Sequence, residues 1–166
     1  MMEEINKKLI NLDLEAENWE EAIEKGGEIL IKEGYIDKKY IESLLKISKR
    51  EGPYYIITKG IALPHVRPDE GVRKNGFSFV RLRKPLNFGN KENDPVKYMI
   101  FLMALDSEKH ISLIRFITKV VEDGKIFELA EKCKGNTGKN INIIHRYLIN
   151  FENIGDDSDE KRTGCL

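Results

Sequence analysis

The sequence predicts a layered domain of the α/β or α+β class, a buried strand set with helices on both sides. Three observations carry that expectation. The run VKYMIFLMAL (96–105) is almost continuously apolar and rich in β-branched and aromatic residues, the pattern of a strand covered on both faces. It stops at the polar stretch DSEKH, so a buried helix suits it less well. Amphipathic helical patterns precede it (17–34 and 38–50) and follow it (108–123). A length of 166 residues favours one domain with one sizeable core.

Taken in order, ENWEEAIEKGGEILIKEG places Trp19, Ala22, Ile23, Ile29 and Leu30 near helical spacing, with Asn18 as N-cap and Glu21 completing a capping box. Gly26 and Gly27 weaken this helix, and Gly34 ends it. Asp37 caps a second helix, KKYIESLLKISKR, whose stripe is Tyr40, Ile41, Leu44, Leu45 and Ile47, so the two form a helical hairpin. Pro53 cannot continue it. YYIIT is a short β-rich run, and GFSFVRL alternates Phe77 and Phe79 as a strand with one covered face. Ser107 is expected to cap the next helix, with Ile111, Ile114, Ile117, Val120 and Val121 on one side. GKIFELAEKC and NTGKNINIIHRYLINF give two more helices, and from Glu152 the chain reads as a disordered polar tail. The expected organisation is thus one domain over residues 1–151 and a tail over 152–166.

Composition excludes several functions. Lys plus Arg and Asp plus Glu number 28 each, so the chain shows no electrostatic footprint for nucleic acid, and no basic run suits anionic lipid. The two cysteines, Cys133 and Cys165, do not suggest a disulfide framework; Cys133 reads as packing, and Cys165 falls in the tail. With three histidines and no CxxC pair, no metal is implied, and no glycine-rich phosphate cradle points to a nucleotide cofactor. The acidic, amphipathic N-terminus is unlike a signal peptide, and no apolar run reaches membrane-spanning length, so a cytoplasmic location is expected.

The stretch GIALPHVRP (60–68) is where chemistry is expected. Pro64 and Pro68 fix two backbone angles and Gly60 permits a tight approach, which aims His65 in a definite direction. The residues alone leave two readings, a turn histidine and a histidine held for chemistry. The order of motifs adds to them. GPYYIITKGIALPHVRPDEGV, GFSFVRLRKPLNFGN and VKYMIFLMALDSEKHISLI resemble, over about residues 19–150, the IIA domains of the bacterial phosphotransferase system (PTS). The branch is the mannitol–fructose type, and the spelling is nearest the ascorbate-specific IIA proteins.

That resemblance implies an α/β fold with a mixed parallel and antiparallel sheet flanked by helices on both faces. It implies a phosphotransferase that accepts a phosphoryl group on a histidine from the carrier HPr. The group then passes to a cysteine of a IIB component, which serves the membrane permease IIC during sugar or ascorbate uptake. The phosphorylated histidine falls on His65, the second active-site histidine on His110 and an accompanying arginine on Arg50. Placed at N3 of a helix capped by Ser107, His110 is expected to stay neutral and to donate a hydrogen bond. Arg50, at a helix C-terminus, can grip two phosphoryl oxygens. Arg67 reads as solvated, Asp69 and Glu70 as turn builders, and His145 as a boundary residue. Two alternatives stand beside the relay. One is a nitrogen-type regulatory IIA that binds partners according to its phosphorylation state. The other is a degenerate binding module.

Overall fold

The computed structural model describes residues 5–163, with side chains through residue 155. Five strands form the main sheet: β1 (Ile10–Leu14), β2 (Ile56–Thr58), β3 (Ile61–Ala62), β5 (Phe79–Leu86) and β6 (Val96–Met99). Their spatial order is β1-β5-β6-β3-β2. β1 pairs with β5 and β3 with β6 in parallel, whereas β5–β6 and β2–β3 are antiparallel. The sheet is therefore mixed, as expected. A separate two-stranded antiparallel sheet pairs β4 (Gly76–Phe77) with β7 (Leu102–Met103).

Helices cover both faces. α1 (Trp19–Lys32) and α2 (Lys38–Glu51) pack one core with Val80, Leu82, Met99 and Phe101. α3 (Ser107–Asp123), α4 (Lys125–Glu131) and α5 (Gly138–Thr163) pack the other with Phe79, Tyr98, Ile100 and Leu102. Residues 98–104 alternate between the two cores, Tyr98, Ile100, Leu102 and Ala104 against Met99, Phe101 and Met103. The period of two explains why this run had to be apolar throughout.

Local expectations hold in most places. The Asn18 side chain accepts from the Glu21 amide at 2.9 Å, and the Glu21 carboxylate reaches back to the Glu17 amide at 2.8 Å, one residue before the usual capping-box donor. Asp37 caps α2 through the Lys39 amide. The glycine pair does not mark a weak point. A Cβ on Gly26 would stand 2.7 Å from the Phe101 ring, and one on Gly27 would strike Ile41, so the pair lets α1 lie close on the sheet and on α2.

Four further expectations are corrected. β1 is a strand where only an acidic amphipathic stretch was read; it lies at the sheet edge, and its side chains are not uniformly apolar. α3 is capped by Asp106, whose carboxylate accepts from the Lys109 amide at 2.7 Å, and Ser107 is the first helical residue. On α3 the buried residues are Leu113, Phe116, Ile117 and Val120, while Ile111 is 52% exposed. Finally, the stretch from Glu152, read as disordered, continues α5 to Thr163. Cys165 lies outside the described residues.

Candidate active site

The segment that follows β3 leaves regular pairing but not support. Ile100 and Leu102 amides donate to the Ala62 and Pro64 carbonyls at 2.9 and 3.0 Å, and the Leu63 amide donates to the Tyr55 carbonyl at 2.7 Å. The fully buried Tyr40 of α2 sends its hydroxyl to the carbonyls of Leu102 (2.8 Å) and Pro64 (3.2 Å). Burial pushes that phenol well above its ordinary pKa, so it remains a donor. Gly71 closes the following turn at φ +93°, against the start of α2, where a Cβ would meet Asp37 and the Tyr40 backbone. His65 is thus carried on backbone held from both sides.

Its ring is held as well. Nδ1 lies 2.7 Å from the Leu63 carbonyl. A carbonyl only accepts, so Nδ1 carries a proton, and in the neutral ring the lone pair lies on Nε2. The Tyr54 hydroxyl donates to the His65 carbonyl at 2.7 Å, and the two rings meet edge to face at 5.7 Å. Burial, followed by Tyr55, Glu70 and Glu51, pushes the Tyr54 phenol up to about 12. Tyr54 belongs to the site, and its role as a brace was not read from the sequence; the doubled tyrosine after Gly52-Pro53 was the available signal.

His110 meets His65 with ring centroids 5.5 Å apart and planes at 56°. Because Asp106 is the cap, His110 sits one residue further into α3 than expected, and its amide already donates to the Asp106 carbonyl at 3.0 Å. Its Nδ1 is buried and has no hydrogen-bond partner among the described residues. A protonated ring would bury an N–H without an acceptor, so the proton of the neutral ring belongs on Nε2. Burial first, and the facing His65 second, lower its pKa from the ordinary value. The expected neutral donor is supported, with burial as its main cause.

Both histidines line a cleft of about 720 Å³ between the end of α2, the 65–70 segment and the start of α3. Arg50 lines it too, in the last turn of α2, with its Nη2 3.0 Å from the neighbouring Glu51 carboxylate. Lys46, one turn earlier, adds a second cation. Arg67 is exposed as expected but pairs with Asp69 and Glu70. Glu70, read as a turn builder, also faces the cleft.

The other singled-out residues stand apart. The His145 Nε2 donates to the Ile5 carbonyl at 3.0 Å, which fits a boundary residue. Cys133 is buried in the second core. Its carbonyl accepts from Arg81, which also bonds the Ala130 carbonyl and so ties β5 to the end of α4. No group of three or more potential metal ligands occurs among the described residues. No helix among them is long and apolar enough to cross a membrane.

An imidazole whose neutral form carries its lone pair on Nε2, a donor on a second ring, and the cations Lys46, Arg50 and Arg67 around a cleft suit the acceptance and release of a phosphoryl group. The similarity of the chain to known proteins agrees. It is 39% identical over 128 residues to the ascorbate-specific PTS system EIIA component of Escherichia coli K12, covering 76% of this chain and 83% of the relative. The solution structure of the mannitol-specific cryptic phosphotransferase enzyme IIA CmtB of E. coli superposes with a TM-score of 0.72. It is 30% identical and covers 84% of this chain and 92% of that one. The IIA chain in a complex of enzyme IIA-mannitol with phosphorylated enzyme IIB-mannitol, also from E. coli, gives 0.68 at 26% identity, over 85% and 96% of the two chains. Residues 3–145 match the family described as phosphoenolpyruvate-dependent sugar phosphotransferase system, EIIA 2, and the chain belongs to that family.

Proposed function

We propose that His65 is the residue of this IIA protein that carries the phosphoryl group, received from phospho-HPr and delivered to a cysteine of a IIB component. The observation that carries the proposal is the 2.7 Å contact between His65 Nδ1 and the Leu63 carbonyl, which holds the ring proton away from the cleft and leaves Nε2 as the nucleophile. In the first step an Nε2–P bond forms while the bond from phosphorus to the donor breaks, and the donor keeps the electron pair. In the second step a partner thiolate attacks phosphorus, and Nε2 recovers its lone pair. Nδ1 keeps its proton throughout. His110 donates from Nε2 to a phosphoryl oxygen, and Arg50 offsets charge on the others.

The surroundings suit protein partners. Tyr54 and Ile111, 43% and 52% exposed, give the cleft an apolar rim that a docking protein can cover. Similarity to ascorbate-specific components supports ascorbate as the solute taken up, through a IIC permease and with this component in the cytoplasm. A nitrogen-type signalling role is not favoured by those transport relatives. We place the phosphoryl-handling domain at residues 1–151, with 152–166 outside it.

The test is incubation with phosphoenolpyruvate, enzyme I and HPr. One acid-labile phosphoryl group per chain is expected in the wild type and none in His65→Ala. Label retained by the His65→Ala chain, or absent from the wild type, overturns the proposal.

A further inference from the structure

Arg67 and Glu70 stand in the cleft wall without a part in the steps above. His65 is partly exposed and Arg67 exposed, and both line the same cleft two positions apart. Two residues of chain span at most about 7 Å, within the reach of an arginine side chain. In the structure the Arg67 guanidinium is turned elsewhere. Its Nη2 is 3.4 Å from Glu70 Oε1, and its Nε is 4.0 Å from Asp69 Oδ1. Both contacts are long, and the Arg67 side chain is 78% exposed, so the guanidinium itself is loosely held.

Glu70 presents the opposite case. Its side chain is only 16% exposed, and its Oε2 is buried without a hydrogen-bond partner among the described residues. A carboxylate in that position is poorly compensated for its lost hydration. A phosphoryl group on His65 would add a charge of about −2 and three strong acceptor oxygens to the same cleft. It would compete for Arg67 with more charge and with a geometry that accepts two parallel N–H bonds.

We infer that Arg67 is a phosphoryl-sensing switch, paired with Glu70 and Asp69 when His65 is bare and swung onto the phosphoryl group when His65 carries one. The inference rests on phosphorylation of His65 as proposed above. Two consequences follow. The uncovered Glu70 carboxylate repels the phosphoryl group, which offsets part of what Arg67 contributes and keeps the group transferable. The rim also changes from a paired to an acidic face, so an acceptor with a cation at that edge binds the charged chain better and leaves after transfer.

The experiment uses the full chain, with ¹⁵N-labelled arginine, phosphorylated through enzyme I and HPr. Phosphoryl occupancy of His65 is first established by ³¹P NMR. Absence of that signal overturns the proposed function, and the inference with it, before Arg67 is measured. On the occupied chain the Arg67 Nε–H resonance, identified by its loss in Arg67→Gln, is expected to move and to exchange more slowly with water. The equilibrium of phosphoryl between HPr and this chain provides a second reading. Arg67→Gln should lower the phosphorylated fraction and Glu70→Gln should raise it, each shifting the constant by about threefold to tenfold. An Arg67 resonance unmoved on a fully occupied chain overturns the switch, as do two variants that shift the equilibrium in the same direction or not at all.

Discussion

His65 and His110 face one another across 5.5 Å, yet the chain holds the two rings by different means. His65 sits on irregular backbone that follows β3, fastened by amides from the strand beside it and by the hydroxyls of Tyr40 and Tyr54. A hydrogen bond to the Leu63 carbonyl fixes its tautomer. His110 sits on a regular helix that supplies rigidity without further ties, and burial of its Nδ1 fixes its tautomer. The contrast suits the tasks proposed for the two rings. A nucleophile must be aimed, and its proton must be kept on the far nitrogen while a bond forms. A companion that donates one hydrogen bond needs to stay uncharged, and a partly dry site at the first turn of a helix secures that without an oriented partner.

Removing the companion should break the pairing most severely. Replacement of one preorganised donor to a developing anion costs roughly 100-fold in rate, so His110→Ala should slow phosphoryl acceptance by about that factor. His110→Gln keeps an N–H donor and should recover about tenfold of the loss, which separates donation from bulk. Stopped-quench transfer from phospho-HPr measures both; equal rates for wild type and His110→Ala would reduce the second ring to packing. The bracing of the first ring is the next target. Tyr54→Phe keeps the edge-on ring and deletes the bond to the His65 carbonyl, worth about 0.5–1.5 kcal/mol, so its rate should fall by less than about tenfold. A fall as deep as that of His110→Ala would mean that the hydroxyl itself meets the transferred group.

The same contrast explains what could be read in advance. Features that repeat along the chain were legible: the caps at Asn18 and Asp37, and the run at 96–105 whose alternate side chains enter opposite cores. His65 stood out because two prolines and a glycine surround it, and those residues advertise a fixed backbone. Its pairing with His110 came from the family resemblance, since 45 positions separate them and only the folded sheet brings them together. The cap of α3 was misplaced by one residue because Asp106 and Ser107 are both good caps, and only the geometry of the Lys109 amide chooses between them. Tyr54 and Glu70 were missed as cleft residues for a further reason. Tyrosines and glutamates are common, and nothing local shows that one hydroxyl will reach a carbonyl eleven positions away or that a turn carboxylate will be half walled in. β1 escaped because an edge strand need not be apolar throughout.

The smallest expected effect tests the companion's environment. Burial and then His65 hold the His110 ring below its ordinary pKa, so the native state binds a proton there less readily than the unfolded chain does. Stability tied to this ring is fully present above the unfolded value of about 6.5 and is lost as the pH falls from there through the native value. The ring is only partly buried and borders a wet cleft, so the loss should be modest. Urea unfolding at about pH 7.5 and about pH 5.5 should show a larger drop for the wild type than for His110→Gln, in which that titration is gone. Phosphorylation should reverse the shift, because a dianion beside the ring favours its charged form and so raises the His110 pKa. The His110 ring resonances, followed by pH titration of the bare and the phosphorylated chain, measure that directly. Parallel unfolding losses in wild type and variant, together with identical titration curves before and after phosphorylation, would remove the ring from both the dry site and the path of the phosphoryl group.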